Sequence, residues 1–250
     1  MSLRALITGA SSGIGFSYAE YLKNEGWYLD LVSKNEKRLE NSKKDLNYEN
    51  ASFHSADLSK SESIELIIDN LHTPDLIVAN AGIAINGAIG KLSKKEKNDA
   101  YYLMCGGVID LIEGFVPRMV DNGGGRIVII SSIGAITAMP KSSIYSSIKS
   151  GIHSYGRSIA SELKSKNISV TISMPGYVKT NAHKRAGLEH LEKKVPKWMW
   201  IDVNQVVYET EKASRNGKIE IIPGKLYRFT KPFLGFQPAI DIWQSLTKRN

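Results

Sequence analysis

The chain has 250 residues, 42% of them hydrophobic, which is enough to bury a full core and fits a single α/β domain, a reading we prefer to two small ones. Lysine and arginine number 33 against 25 aspartates and glutamates, a net charge of +8. The excess is spread along the chain without a nucleic-acid motif, which favours solvated faces and attraction for an anionic cofactor or substrate over polyanion or membrane-surface binding. The single cysteine, Cys105, excludes an internal disulfide and a thiolate metal cluster and reads as a small apolar helix residue.

No run approaches the roughly 20 apolar residues of a spanning helix. The N-terminal residues pass straight into a strand pattern instead of a signal peptide. We therefore expect an intracellular, cytoplasmic protein.

Taken in order, the chain predicts strands at Leu3 to Thr8, Trp27 to Ser33, Ser52 to Ser55, Leu76 to Ala79, Arg126 to Ser131, Ile168 to Ser173 and Lys218 to Ile222. Helices are predicted between them near 13–24, 35–47, 60–71, 93–121 and 143–166. Short β-rich runs alternating with helices point to a doubly wound, Rossmann-type parallel sheet of about seven strands, flanked by helices. The long polar and aromatic gap from Pro175 to Asn216 is expected to lie beyond the carboxyl ends of the strands, as a substrate loop or lid. Its Trp198 and Trp200 either line an apolar pocket or anchor that loop. A tail over residues 225–250 completes the domain.

One constellation carries chemistry. Tyr145 and Lys149 are one helical turn apart on a shared face, and Ser132 ends the apolar run that precedes them. A cation beside a phenol favours the phenolate, drawing its pKa down from about 10. Such a tyrosine can give a proton to a forming alkoxide or take one from an alcohol. Alone, Ser132 would be a strand-end hydroxyl; in register with the other two it reads as an orienter of the substrate oxygen.

The turn Thr8-Gly-Ala-Ser-Ser-Gly-Ile-Gly15 follows the first strand and opens the first helix. Glycines at 9, 13 and 15 let the backbone turn sharply and approach a pyrophosphate near a helix N-terminus. With Asp57-Leu58, Asn80-Ala-Gly82, Ser132, Tyr145-x-x-x-Lys149 and Pro175-Gly176 in the same order, the chain resembles the short-chain dehydrogenase/reductase family of ordinary length, over residues 3 to about 180.

The resemblance implies a nicotinamide-dependent oxidoreductase acting on a small-molecule carbonyl or secondary alcohol, assembled as a homodimer or homotetramer, with no metal. It assigns proton exchange to Tyr145, orientation of the substrate oxygen to Ser132, and ribose binding plus tyrosine activation to Lys149. It places Gly9, Ser11, Ser12, Gly13, Ile14 and Gly15 at the cofactor phosphates and Asp57 at the adenine, with Leu58 as a further cofactor-binding residue. Read alone, Asp57 is a helix N-cap before Ser59, and both roles are compatible. Asn80, Ala81 and Gly82 steady the sheet beside the cofactor, while Pro175, Gly176, Val178 and Thr180 approach the nicotinamide, Thr180 reaching its carboxamide or the pyrophosphate.

At the tip of the second strand, Ser33 takes the position of the acid that would repel a 2′-phosphate, and Lys34 is an adjacent cation. Asp30 falls inside the strand. This favours NADP(H) over NAD(H), although Lys34 alone would pass for an exposed loop lysine.

Two features depart from or extend the resemblance. Met104 stands where many members carry an asparagine that holds a water serving the active-site lysine, and a thioether cannot do so. The alternative reading is therefore an NADP(H)-binding sensor or scaffold with weak or lost catalysis. Beyond residue 200 the chain more loosely resembles bacterial reductases acting on acyl or lipid-like carbonyls. There Lys225 to Phe236 interleaves aromatics with cations; we favour a subunit contact or a cover over the sheet edge above an interfacial or acyl-binding element.

Overall fold

The computed structural model describes residues 2–85, 89–137, 141–180 and 195–233, with isolated positions 238, 241 and 245. Its strands are β1 (Arg4–Thr8), β2 (Tyr28–Ser33), β3 (Ala51–Ser55), β4 (Leu76–Ala79), β5 (Gly125–Ile130), β6 (Ile168–Ser173), β7 (Tyr177–Val178), β8 (Trp200–Ile201) and β9 (Glu220–Ile221). Seven form one sheet in the order β3-β2-β1-β4-β5-β6-β9, and β7 pairs with β8 in a separate ribbon. Every pairing in the large sheet is parallel. This is the predicted doubly wound sheet.

Both faces of the sheet are apolar because alternate residues serve opposite layers. On β1, Leu6 packs in one cluster while Ala5 and Ile7 pack in the other; on β5, Ile127 and Ile129 divide from Val128 and Ile130 in the same way. The first cluster is closed by α3 (Ser61–Asn70), α5 (Gly107–Asp121) and α6 (Ser143–Glu162). The wholly buried Phe115 of α5 anchors it, and truncation to alanine there costs about 3–5 kcal/mol. The opposite cluster is closed by α1 (Gly13–Lys23) and α2 (Glu36–Leu46).

The structure corrects the expectation of one loop from 175 to 216. Val203–Arg215 forms a helix, α7, whose Asp202 side chain accepts from the Asn204 N–H at 2.9 Å. It packs against α1, with Val207 in the same core cluster. Residues 181–194 of the expected lid lie outside the described residues.

The expected helix 93–121 is also interrupted. It comprises α4 (Lys94–Tyr101), a π-helical turn Tyr102–Gly106 and α5. α4 starts with a capping box, in which Ser93 and Glu96 exchange bonds with one another's backbone. In the tail, α8 (Lys225–Thr230) gives way to a short 3₁₀ turn, and Lys231 reaches Glu220 of edge strand β9 at 3.0 Å.

Candidate active site

The carboxyl ends of β1 to β6 and the loops that leave them border one cavity of about 1450 Å³. A single drug-sized ligand needs roughly 300–1,000 Å³, so this space suits a dinucleotide together with a substrate. It lies where the strand order reverses between β1 and β4, the usual ligand position in open parallel sheets.

At one end, the β1–α1 turn is built from glycine where no other residue fits. Gly9 and Gly13 have φ of +67° and +58°. A Cβ on Gly9 would lie 2.9 Å from the Ala81 Cα, and one on Gly13 would meet the Thr180 side chain at 3.3 Å. Thr180 and the turn thus close on each other. Gly9, Ser11, Ser12, Gly13 and Ile14 line the cavity; Gly15 does not, since its role is close packing, with a Cβ there falling 2.6 Å from both the Gly9 carbonyl oxygen and the Asn80 amide.

Asn80, at the end of β4, donates from its side chain to the Thr8 carbonyl at 2.9 Å. The Asn80 and Ala81 N–H groups both donate to the Thr8 hydroxyl at 2.9 Å. These bonds lock the turn to β4, and Asn80, Ala81 and Gly82 all border the cavity.

At the far side, Ser132 follows β5 and its hydroxyl accepts from the Gly134 N–H at 3.1 Å. Tyr145 and Lys149 come from successive turns of α6, as the spacing predicts. α6 is held to β5 by two bonds: Lys149 Nζ donates to the Ile130 carbonyl at 2.9 Å, and the Ser131 hydroxyl donates to the Lys149 carbonyl at 3.1 Å. The ammonium lies 5.9 Å from the centroid of the Tyr145 ring. Burial pushes Lys149 down to about 8, against a smaller opposing effect of the Cys105 sulfur. Ser132, Tyr145 and Lys149 therefore share the cavity with the glycine turn, and Pro175, Gly176, Val178 and Thr180 complete that wall.

The remaining predicted residues border the end near β2 and β3. Lys34 and Asp57 form an ion pair at 2.7 Å, and Leu58 lies beside them. Asp57 accepts from the Ser59 N–H at 3.1 Å and the Ser59 hydroxyl at 2.7 Å, but α3 begins only at Ser61, which corrects its reading as a helix N-cap. Burial pushes the Asp57 carboxyl up, yet Lys34 and Ser59 outweigh it and hold it below the ordinary carboxylate range. Asp30 is turned away from the cavity, buried between Arg4 at 2.7 Å and His54 at 3.3 Å.

Sequence reasoning missed Asn35, Lys37, Arg38 and Asn41, which also border the cavity. Their signal was the N-cap: the Asn35 side chain accepts from the Arg38 N–H at 2.9 Å and fixes the first turn of α2. Trp198 and Trp200 are not among the described lining. Trp200 anchors the loop instead, its ring 5.5 Å from that of Tyr177 and its indole N–H donating to the Val195 carbonyl at 3.3 Å, while Trp198 is 60% exposed.

The family model described as short chain dehydrogenase matches residues 4–190. The chain belongs to that family. It is 28% identical over 187 residues to a 3-oxoacyl-(acyl-carrier-protein) reductase of Chlamydia trachomatis, covering 72% of this chain and 75% of that one. It is 30% identical over 183 residues to an uncharacterized oxidoreductase of Staphylococcus saprophyticus, covering 70% and 78%.

Among solved structures, a short-chain dehydrogenase from Sphingobium yanoikuyae in complex with NADPH superposes with a TM-score of 0.82 at 25% identity, covering 96% and 95% of the two chains. The bulky-bulky ketone specific alcohol dehydrogenase of Comamonas testosteroni superposes with a TM-score of 0.78 at 23% identity, covering 96% and 94%, a likeness of fold. This short-chain dehydrogenase is an oxidoreductase. No helix among the described residues is long and apolar enough to cross a membrane, and no group of three or more candidate metal ligands occurs among them.

Proposed function

We propose that the chain is an NADP(H)-dependent reductase or dehydrogenase acting on a carbonyl or secondary alcohol. The observation that carries this reading is one cavity holding Ser132, Tyr145 and Lys149 at one side and the glycine turn at the other. The residues fit a dinucleotide: positive φ at Gly9 and Gly13 brings bare backbone to the cavity at the start of α1, which suits a pyrophosphate. The NADPH complex of the Sphingobium relative and the acyl-reductase name of the chlamydial relative support the same cofactor and substrate class.

When bound, the nicotinamide supplies or accepts the hydride. In the reducing direction, the Tyr145 phenol gives its proton to the carbonyl oxygen as the carbon receives the hydride, and the product is the alcohol. A positioned acid of this kind contributes about 10²–10⁴-fold. The Ser132 hydroxyl donates to the same oxygen and holds it in place, a contact worth about 10²–10³-fold where charge develops. Lys149, fixed through the Ile130 carbonyl, keeps a cation near the phenol and would hold the ribose hydroxyls of the cofactor. The turn, Asn80 and the Pro175–Thr180 segment position the cofactor.

The domain assignment 1–250, cytoplasmic residence, and a homodimer or homotetramer built through the helices at 93–121 and 143–166 belong to the same reading. The test is NADPH consumption against an array of ketones and aldehydes. Turnover that falls at least about 10²-fold in Tyr145→Phe, with NADPH binding retained, is expected. Full activity in Tyr145→Phe overturns the assigned mechanism.

A second reading, a nucleotide-binding sensor or scaffold with weak catalysis, is favoured by Met104. Its side chain is 1% exposed, borders the cavity, and places Sδ 3.4 Å from the Ile83 N–H. That reading predicts tight NADP(H) binding with no turnover on any carbonyl.

A further inference from the structure

We propose that Arg38 reads the cofactor 2′-phosphate, while the charge of Lys34 is spent on Asp57. This rests on the NADP(H) reading above and reassigns its specificity from the strand tip to the first turn of α2.

Lys34 is the cation nearest in sequence to the strand tip, but its ammonium sits 2.7 Å from Asp57 Oδ2. Moving it to a phosphate would leave the Asp57 carboxylate, already ionised at neutral pH, uncompensated beside a second anion. The ion pair is partly exposed and by itself weak. It is the like-charge repulsion left behind that keeps Lys34 in place.

Arg38 has no such commitment: it makes no ion pair among the described residues and borders the same cavity. Asn35 caps the turn that carries it, at 2.9 Å from the Arg38 N–H, so the root of the side chain is fixed. A guanidinium presents a planar fork to two phosphate oxygens at once, which an ammonium such as Lys37 cannot do. At the floor of this end, the Ser11 and Ser33 hydroxyls are 2.7 Å apart. One donates to the other, which leaves one hydroxyl proton for a further acceptor. The carboxylate at this end of the cavity, Asp57, is the one that Lys34 neutralises.

The experiment measures the affinities of 2′,5′-ADP and 5′-AMP for the full chain by calorimetry, and takes the ratio of the two as the discrimination. In Arg38→Gln the ratio is expected to collapse by about 10- to 100-fold, the range for hydrogen bonds to a charged group, with 5′-AMP affinity unchanged. In Lys34→Gln the ratio should stay within about twofold. Arg38→Lys should fall between wild type and Arg38→Gln, because it keeps the charge and loses the fork.

Collapse in Lys34→Gln, or an unchanged ratio in Arg38→Gln, overturns the assignment. Equal losses in both variants overturn it as well, since Lys34 would then have left Asp57. Equal affinity of the wild-type chain for both probes refutes the 2′-phosphate preference along with the proposal but leaves a dinucleotide site. If neither probe binds, the cofactor reading itself fails.

Discussion

Lys149→Met isolates the free energy stored in the buried ammonium. In the folded chain burial lowers Lys149 from 10.5 to about 8. At about 1.36 kcal/mol per pH unit, that drop corresponds to roughly 3 kcal/mol against the charged form. Below pH 8 the lysine is protonated in both folded and unfolded chains, so the wild type bears the whole penalty. Between 8 and 10.5 the unfolded chain holds a proton that the folded chain has released, so wild-type stability rises with pH. Above 10.5 both forms are neutral and the penalty is gone.

Methionine fills similar volume and does not titrate. It also loses the bond to the Ile130 carbonyl, a pH-independent offset of about 1 kcal/mol. The quantity to measure is therefore the stability of wild type minus that of Lys149→Met, by urea unfolding followed through tryptophan fluorescence at pH 7, 8, 9 and 10 without nucleotide. It should be constant from pH 7 to about 8 and then climb by most of 3 kcal/mol by pH 10. A difference that stays flat across this range refutes the claim that burial strains the lysine.

Glu211 of α7 is wholly buried, receiving Tyr18 at 2.6 Å, Arg126 at 2.8 Å and Arg215 at 2.9 Å. Burial pushes its carboxyl up, but these three partners outweigh it and hold it below the usual range, so its contribution is present at neutral pH and lost in acid. Glu211→Gln should lose about 3 kcal/mol or more at pH 7 and show a shallower fall in stability as pH drops; an unchanged acid limb would contradict this. Gly15→Ala drives a methyl to 2.6 Å from the Gly9 carbonyl oxygen, and should cost about 1–3 kcal/mol in urea unfolding and abolish NADPH binding by fluorescence. Met104→Asn places an amide in an apolar setting and should cost about 1–3 kcal/mol of stability; if missing proton supply limits turnover, kcat rises with NADPH affinity unchanged, and an unchanged or lower kcat counts against that explanation.

The strands were legible because their chemistry is local. A run such as Arg126-Ile-Val-Ile-Ile must bury both faces, and only a covered parallel sheet does so. The site was legible because Tyr145 and Lys149 need only a helix to meet. α7 was hidden by its polar surface, although Asp202 as N-cap and buried residues at 206, 207, 210, 213 and 214 carry the helical period. The two-residue strands β7 and β8 have no local signal, since Tyr177 and Trp200 meet only through tertiary structure.

Both points left open at the site have the same physical origin. The sequence shows a cation at Lys34 and a thioether at Met104, but what each does depends on its neighbour across the cavity: Asp57, arriving from the loop after β3, and the Ile83 N–H, arriving from the loop after β4. Charge and polarity at a ligand site are properties of pairs. A residue read singly gives the available chemistry, and the partner decides how much of it remains for the ligand.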